Sequence, residues 1–357
     1  MSRMYMERKV SSQPLTEVLM KKYAAIRALS VYLPERVETN ESWDARFVEK
    51  LGIYERHLAK DDETSSDFCV RVAEKLFAEY NIDRKDIDYL VVCAQHPDYP
   101  MPPTSCIVQD KLGLSMNTAA IDVTMGCSGY LYGLSVVKGL IEAQIATNVL
   151  FVTATVGTKF RNEKDNIMRP LFGDGATATL ITPQESNEPL LHSFVFGTDG
   201  SRYDKLYIPA GGSKHMRKNT PETIETDSDG NIRTNYEWHM DGAAISYFTL
   251  RVVPAIVEDV LKKSDLKRED IDYYIFHQAN RFMMEHVQKK CHLEKMAFYN
   301  DITKIGNTVS SSVPFGMDIV LKETPSESLK RVMLAGFGVG LSWAGCIADL
   351  TRMMKKV

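Results

Sequence analysis

Short apolar runs alternate along the chain with longer segments whose apolar positions recur every three or four residues. SSDFCVRVAEKLFAEY (65–80) and AAISYFTLRVVPAIVEDVLKK (243–263) carry the helical period, and Pro254 inside the second predicts a kink or a split there. NIDRKDIDYLVVCAQ (81–95), VLFVTATV (149–156) and RVMLAGFG (331–338) instead contain apolar runs of strand length. Strands alternating with helices predict βαβ units and mixed sheets covered by helices.

The pattern occurs twice. Residues 81–95 and DLKREDIDYYIFHQA (265–279) share a polar turn, D-I-D-Y and an apolar run, at an offset of 184 residues. The strand runs at 149–156 and 331–338 fall at nearly that offset, and GDGATATLI (173–181) and GVGLSWAGCI (338–347) look like glycine-led strands that close each half. Matches in one order predict a duplication: two α/β halves fused into a layered protein with a pseudo-two-fold axis. In open α/β sheets the chemistry lies at the carboxyl ends of strands, so the residues just past each strand run are the candidates. The offset places Ser311, in NTVSSSVPFG, opposite Cys127.

Composition and charge narrow the class. The 357 residues are 44% hydrophobic and 25% charged, ordinary globular values. A net charge of −4 gives no whole-chain field to attract nucleic acid or a membrane, and no apolar run reaches the ~20 residues of a spanning helix. The first 22 residues read as an N-terminal extension, without the apolar core of a secretory signal. Six scattered cysteines with no C-x-x-C predict free thiols in a reducing compartment, hence a cytoplasmic protein. The polar segment at about 205–240 predicts a long surface excursion or lid, and DSDGN within it reads as a hairpin turn in preference to a calcium loop.

Three strand ends carry candidate chemistry. In DVTMGCSGYLYG, Cys127 follows an apolar run and precedes a helical one, flanked by Gly126 and Gly129, which permit a tight turn. A sulfur at a helix N-terminus is favoured as thiolate, which suits a nucleophile; a buried structural thiol is the alternative, and the one preferred for Cys93, Cys106 and Cys346 in their apolar surroundings. His277 ends DYYIFH, either as a catalytic group or as a histidine satisfying a core hydrogen bond. Asn307 follows Gly306 in a turn, where asparagine is ordinary turn chemistry unless it converges with the other two. No G-x-S-x-G, H-E-x-x-H, Walker loop or dinucleotide fingerprint is present.

DVTMGCSGYLYG, HQAN (277–280), GNTVSSSVP and the terminal GFGVGLSWAG, in this order, resemble the β-ketoacyl-ACP synthase III family, condensing enzymes of the thiolase fold. The resemblance runs from about Tyr23 to Leu350. It implies an α-β-α-β-α arrangement of two halves, 23–187 with the nucleophile and 188–357 with the histidine and asparagine. It further implies a Cys127-His277-Asn307 triad, with an oxyanion held by the backbone of Cys127 and the Gly338-Val339-Gly340 turn. The implied reaction condenses an acyl-CoA primer with malonyl-ACP through an acyl-cysteine, initiates fatty-acid synthesis and needs no metal or other cofactor.

The family also implies a homodimer. Met101 corresponds to the position that reaches into the partner's acyl pocket, and Lys289, Lys290 and Arg281 to positions that meet the acidic acyl carrier protein. The chain departs from the family pattern at the nucleotide site: Phe282 stands where an arginine is common, Lys50 replaces another, and Trp43 lies a few residues early for the adenine-stacking aromatic. Alternative readings are a secondary-metabolite ketosynthase or acyltransferase of the same superfamily and a non-catalytic scaffold that binds acyl carrier protein. The primer is not legible, because one methylene is worth only ~1 kcal/mol of pocket contact.

Overall fold

Residues 21–227 and 230–357 are described by the computed structural model. The first half runs β1 (Lys21–Tyr32), β2 (Arg36–Thr39), α1 (Ala45–Leu51), β3 (Glu55–Leu58), α2 (Ser65–Tyr80), β4 (Tyr89–Ala94), α3 (Thr104–Lys111), β5 (Ala119–Val123), α4 (Gly129–Glu142), β6 (Val149–Thr155) and β7 (Gly175–Ser186). The second begins with β8 (Leu191–Thr198) and four short strands, β9 (Leu206–Tyr207), β10 (Ile224–Thr226), β11 (Ile232–Thr234) and β12 (His239–Met240). It continues through α5 (Gly242–Ser264), β13 (Tyr273–Phe276), α6 (Arg281–Lys290), α7 (Ser312–Glu323), β14 (Val332–Gly338) and β15 (Ser342–Ala348).

Local chemistry accounts for the helix ends. Thr64 and Asp67 form a capping box at the start of α2, and Asn81 closes it in the left-handed conformation. The buried Phe68, Val72, Leu76 and Phe77 then form the inward stripe that the periodicity implied. Of the kink or split expected in α5, the split does not occur: the helix runs for 23 residues with Pro254 inside it, and Val252, Val253, Ile256 and Val257 are buried on both sides of the proline.

The duplication is visible in the sheets. One has the strand order β1-β7-β6-β4-β5, the other β8-β15-β14-β13. In each, the first two pairings are antiparallel and the third, β6–β4 or β14–β13, is parallel. A parallel bridge between Tyr274 and Phe298 occupies the place that β5 holds in the first sheet. Helices α4 and α7 pack between the two sheets, α2 and α3 cover the outside of the first, and α5 and α6 the outside of the second. That is the α-β-α-β-α layering of the thiolase fold.

Some boundaries differ from the sequence expectation. Strand β1 already includes Lys21 and Lys22, two residues before Tyr23, and residues 1–20 of the expected extension lie outside the described residues. Strands β10 and β11 pair antiparallel around the DSDGN turn, of which Ser228 and Asp229 are not described. The 205–240 segment is more than a surface excursion. Its two ends turn inward, and Trp238 is buried against Phe172, ring centroids 4.7 Å apart.

Candidate active site

Strand β5 ends at Val123 and α4 begins at Gly129, so Cys127 sits in the turn between them, 5% exposed. His277 follows the last residue of β13 directly and is buried, its backbone N–H bonded to Ala335 O at 2.8 Å. Asn307 is fixed by a parallel bridge to Phe172, and its Oδ1 accepts the N–H of Val309 at 2.9 Å. These side chains come from both halves of the molecule. All three line one cavity of about 230 Å³, together with Phe337 and Gly338 of β14.

The glycines around the sulfur have a steric reason. Gly338 has φ +157°, and a Cβ there would lie 2.8 Å from both Cβ and Sγ of Cys127. A Cβ on Gly126 would meet the Val339 side chain at 2.2 Å. Only bare backbone lets the β14–β15 turn close over the cysteine, and the N–H groups of Val339 and of Cys127 itself then point at the sulfur. Of the three turn residues named from sequence, Val339 bonds the sulfur and Gly338 lines the cavity. Gly340 (φ +135°) is packed against Ser342 instead.

Protonation differs from the sequence expectation. The start of α4 favours thiolate, but desolvation dominates: burial pushes the Cys127 thiol up to about 11. Burial also pushes His277 down to about 3, against a backbone hydrogen bond to Val309. The resting pair is therefore neutral thiol and neutral imidazole. Alkylation of Cys127 by iodoacetamide, followed by intact mass, is expected to accelerate by about tenfold per pH unit from 7 to 10. A plateau below pH 8 would show that the helix dipole wins after all.

Sequence reasoning missed a positioning group. Ser312 Oγ lies 2.6 Å from His277 Nδ1 and fixes the ring, which also meets Phe337 edge-on. Its neighbour Ser311, opposite Cys127 in the repeat, bonds Thr153 at 2.8 Å instead. The serine run before α7 was the available signal, but the spacing alone did not say which serine faces the imidazole.

Other named residues lie away from the sulfur. Met101 is 82% exposed on the loop before α3 and lines neither cavity that reaches Cys127 in its own chain. Lys289 and Lys290 are exposed in the last turn of α6. Arg281, at its start, lies over the Tyr54 ring, with Nη1 3.5 Å from Glu49 O. Lys50 Nζ sits 4.2 Å above the Phe282 ring. Trp43 lines a separate surface pocket, and the α1 aromatic that borders the catalytic cavity is Phe47. Cys93 and Cys346 are buried as expected, but Cys106 is exposed on α3, so apolar neighbours in sequence did not mean apolar surroundings in space.

Residues 121–200 match the family model described as 3-oxoacyl-[acyl-carrier-protein] synthase III, and residues 261–350 match the model of its C-terminal part. The chain is 35% identical over 347 residues to β-ketoacyl-[acyl-carrier-protein] synthase III 2 of Halalkalibacterium halodurans, across 93% of this chain and 98% of that protein. It is 33% identical over 336 residues to β-ketoacyl-[acyl-carrier-protein] synthase III of Caldanaerobacter subterraneus subsp. tengcongensis, across 92% and 98% of the two chains. A crystal structure of a 3-oxoacyl-(acyl-carrier-protein) synthase III superposes with a TM-score of 0.88 at 37% identity, covering 92% of this chain and 99% of that one.

Proposed function

We propose, from the premise that the chain belongs to the β-ketoacyl-ACP synthase III family, that it initiates fatty-acid synthesis by condensing an acyl-CoA primer with malonyl-ACP. The observation that carries the reading is the convergence of Cys127, His277 and Asn307, from two halves of the fold, on one cavity.

Each residue has a task its surroundings suit. Cys127 Sγ attacks the primer thioester, its proton leaves with the CoA thiol, and the acyl group stays on the sulfur. The N–H groups of Cys127 and Val339, already aimed at the sulfur, hold the oxyanion; losing one such donor typically costs ~3 kcal/mol. Malonyl-ACP then loses carbon dioxide, and the electron pair moves toward its thioester oxygen. Neutral His277 and the Asn307 carboxamide donate hydrogen bonds there, and neither adds a negative charge that would oppose the enolate. The carbanion attacks the acyl-cysteine carbonyl, the tetrahedral intermediate expels the Cys127 thiolate, and that thiolate takes up a proton. The nucleophile and the donors all belong to the chain, so the reaction asks for no cofactor.

Lys289, Lys290 and Arg281 offer positive charge on α6, whose first turn borders the cavity at Asn280 and Met283, and we assign that face to the acidic carrier protein. A homodimer is supported by β5, the edge strand of its sheet, and by the exposed Met101 loop beside it. Six free cysteines support a cytoplasmic location, and among the described residues no helix is long and apolar enough to cross a membrane. Incubation with acyl-CoA primers and malonyl-ACP, read by mass spectrometry, is expected to give acylated Cys127 and then β-ketoacyl-ACP. Acylated enzyme without β-ketoacyl-ACP would favour an acyltransferase of the same superfamily.

A further inference from the structure

The two N–H groups that face the sulfur belong to different halves of the molecule, Cys127 to the turn before α4 and Val339 to the turn between β14 and β15. An oxyanion hole works only while both donors keep their aim, so one turn has to be held against the other. Backbone sterics are weak on the Val339 side. Val339 stands between Gly338 (φ +157°) and Gly340 (φ +135°), neighbours without side chains to restrict how its two peptide groups rotate.

Two buried hydroxyls supply the tie. Ser342, 2% exposed at the start of β15, places its Oγ 2.8 Å from Val339 O. A carbonyl only accepts, so the Ser342 proton lies in that bond. Ser128, wholly buried and next to the nucleophile in sequence, has its Oγ 2.8 Å from Ser342 Oγ. Ser342 has no second proton to give, so Ser128 is the donor. The order is therefore fixed: the Ser128 hydroxyl donates to the Ser342 hydroxyl, which donates to the Val339 carbonyl, while the Val339 N–H points at Cys127 Sγ. Such a chain polarises along its length, which strengthens each bond.

The place of Ser128 gives the pairing a direction. It is the N-cap residue of α4, where a serine side chain ordinarily accepts an N–H of the first helical turn. Here it makes no cap hydrogen bond and reaches across to the other half of the molecule instead. The two halves also touch at that point, since a Cβ on Gly336 of β14 would lie 2.8 Å from Cys127 O and 2.9 Å from Ser128 Cα.

We propose that Ser128 and Ser342 are positioning residues that lock the two oxyanion donors against each other across the halves of the fold. Neither lines a cavity that reaches Cys127, so both act through Val339 and not on the substrate. The inference rests on the condensing function above, because it takes a thioester carbonyl to be attacked at Cys127. It also separates the steps of that function. Acyl transfer develops its oxyanion at Cys127 and Val339, whereas decarboxylation develops charge at His277 and Asn307, outside this chain of hydrogen bonds.

The test measures single-turnover acylation of Cys127 by acetyl-CoA and butyryl-CoA, read by intact mass, beside carbon dioxide release from malonyl-ACP without primer. Ser342→Ala is expected to slow acylation at saturating primer by at least about tenfold, part of the 10²–10³-fold cost of a lost donor, while the half-saturating concentration and carbon dioxide release stay within about threefold. Ser342→Thr keeps the hydroxyl and should restore most of the rate. Ser128→Ala should give a smaller loss of the same kind, and the double variant should be no slower than Ser342→Ala, because Ser128 acts through Ser342. Acylation at the wild-type rate in Ser342→Ala overturns the positioning role and leaves the function standing. So does an equal fall in acylation and carbon dioxide release, or losses from the two serines that simply multiply. Should Ser342→Ala not fold, Ser128→Ala decides, and an unchanged acylation rate there overturns the proposal. A wild-type enzyme that takes no acyl group from either thioester overturns the function and the inference together.

Discussion

Replacing Cys127 with alanine is expected to abolish acyl-enzyme formation and to lower condensation by on the order of 10⁴-fold or more, the scale seen when a nucleophile is removed from a cooperating group of residues. The substitution deletes one sulfur from a buried turn and leaves the donors around it in place. Malonyl thioester decarboxylation should therefore persist in Cys127→Ala, because His277 and Asn307 still face the cavity. The measurement is paired: intact mass for acylation, and carbon dioxide release from malonyl-ACP for the second step. A scaffold that merely binds acyl carrier protein would lose nothing in Cys127→Ala, so an unchanged biological role in that variant would defeat the enzyme reading.

The complementary result is expected at the other two residues. His277→Ala and Asn307→Ala should each still accept an acyl group on Cys127, yet lose about 10²–10³-fold in condensation, the usual cost of one donor to developing negative charge. Single-turnover acylation and product formation, measured separately, check the split. Burial holds His277 neutral down to about pH 3, so condensation should show no inflection near the ordinary histidine pKa of about 6.5 that tracks this residue. Equal loss in both steps would instead make His277 the base that takes the Cys127 proton. Ser312→Ala, which removes the partner of Nδ1, should reproduce part of the His277→Ala defect and none of an acylation defect.

Much of this molecule is legible without coordinates. The apolar strand runs and helical stripes report which side of each segment is buried, and that is a local property. Repeated at an offset of 184 residues, they were enough to imply two α/β halves, and the strand orders of the two sheets agree. The Gly-Cys-Ser turn, HQAN and the Gly-Asn turn were likewise local signals, readable because a strand end, a cap or a tight bend restricts residue type at that point. The resemblance to a family joined them into one site.

What the sequence did not carry depends on neighbours remote along the chain. Whether Pro254 splits α5 is decided by the sheet beneath it, and whether Cys106 is buried by what lies across from it. The Cys127 thiol illustrates the point most clearly. Its helix N-terminus is written locally and argues for thiolate, but the walls that exclude water come from β14, from Phe172 and from the 205–240 segment, and their desolvation reverses the sign. The same segment supplies Trp238 to His96, a pairing between residues 142 apart that no periodicity encodes. Sequence by itself determined the elements, their repetition and the reactive residue types, because those follow from local sterics and burial pattern. Tertiary structure alone decided protonation, the partner of His277 and the shape of the cavities around Cys127, because dielectric and enclosure are properties of the surrounding volume and not of the chain.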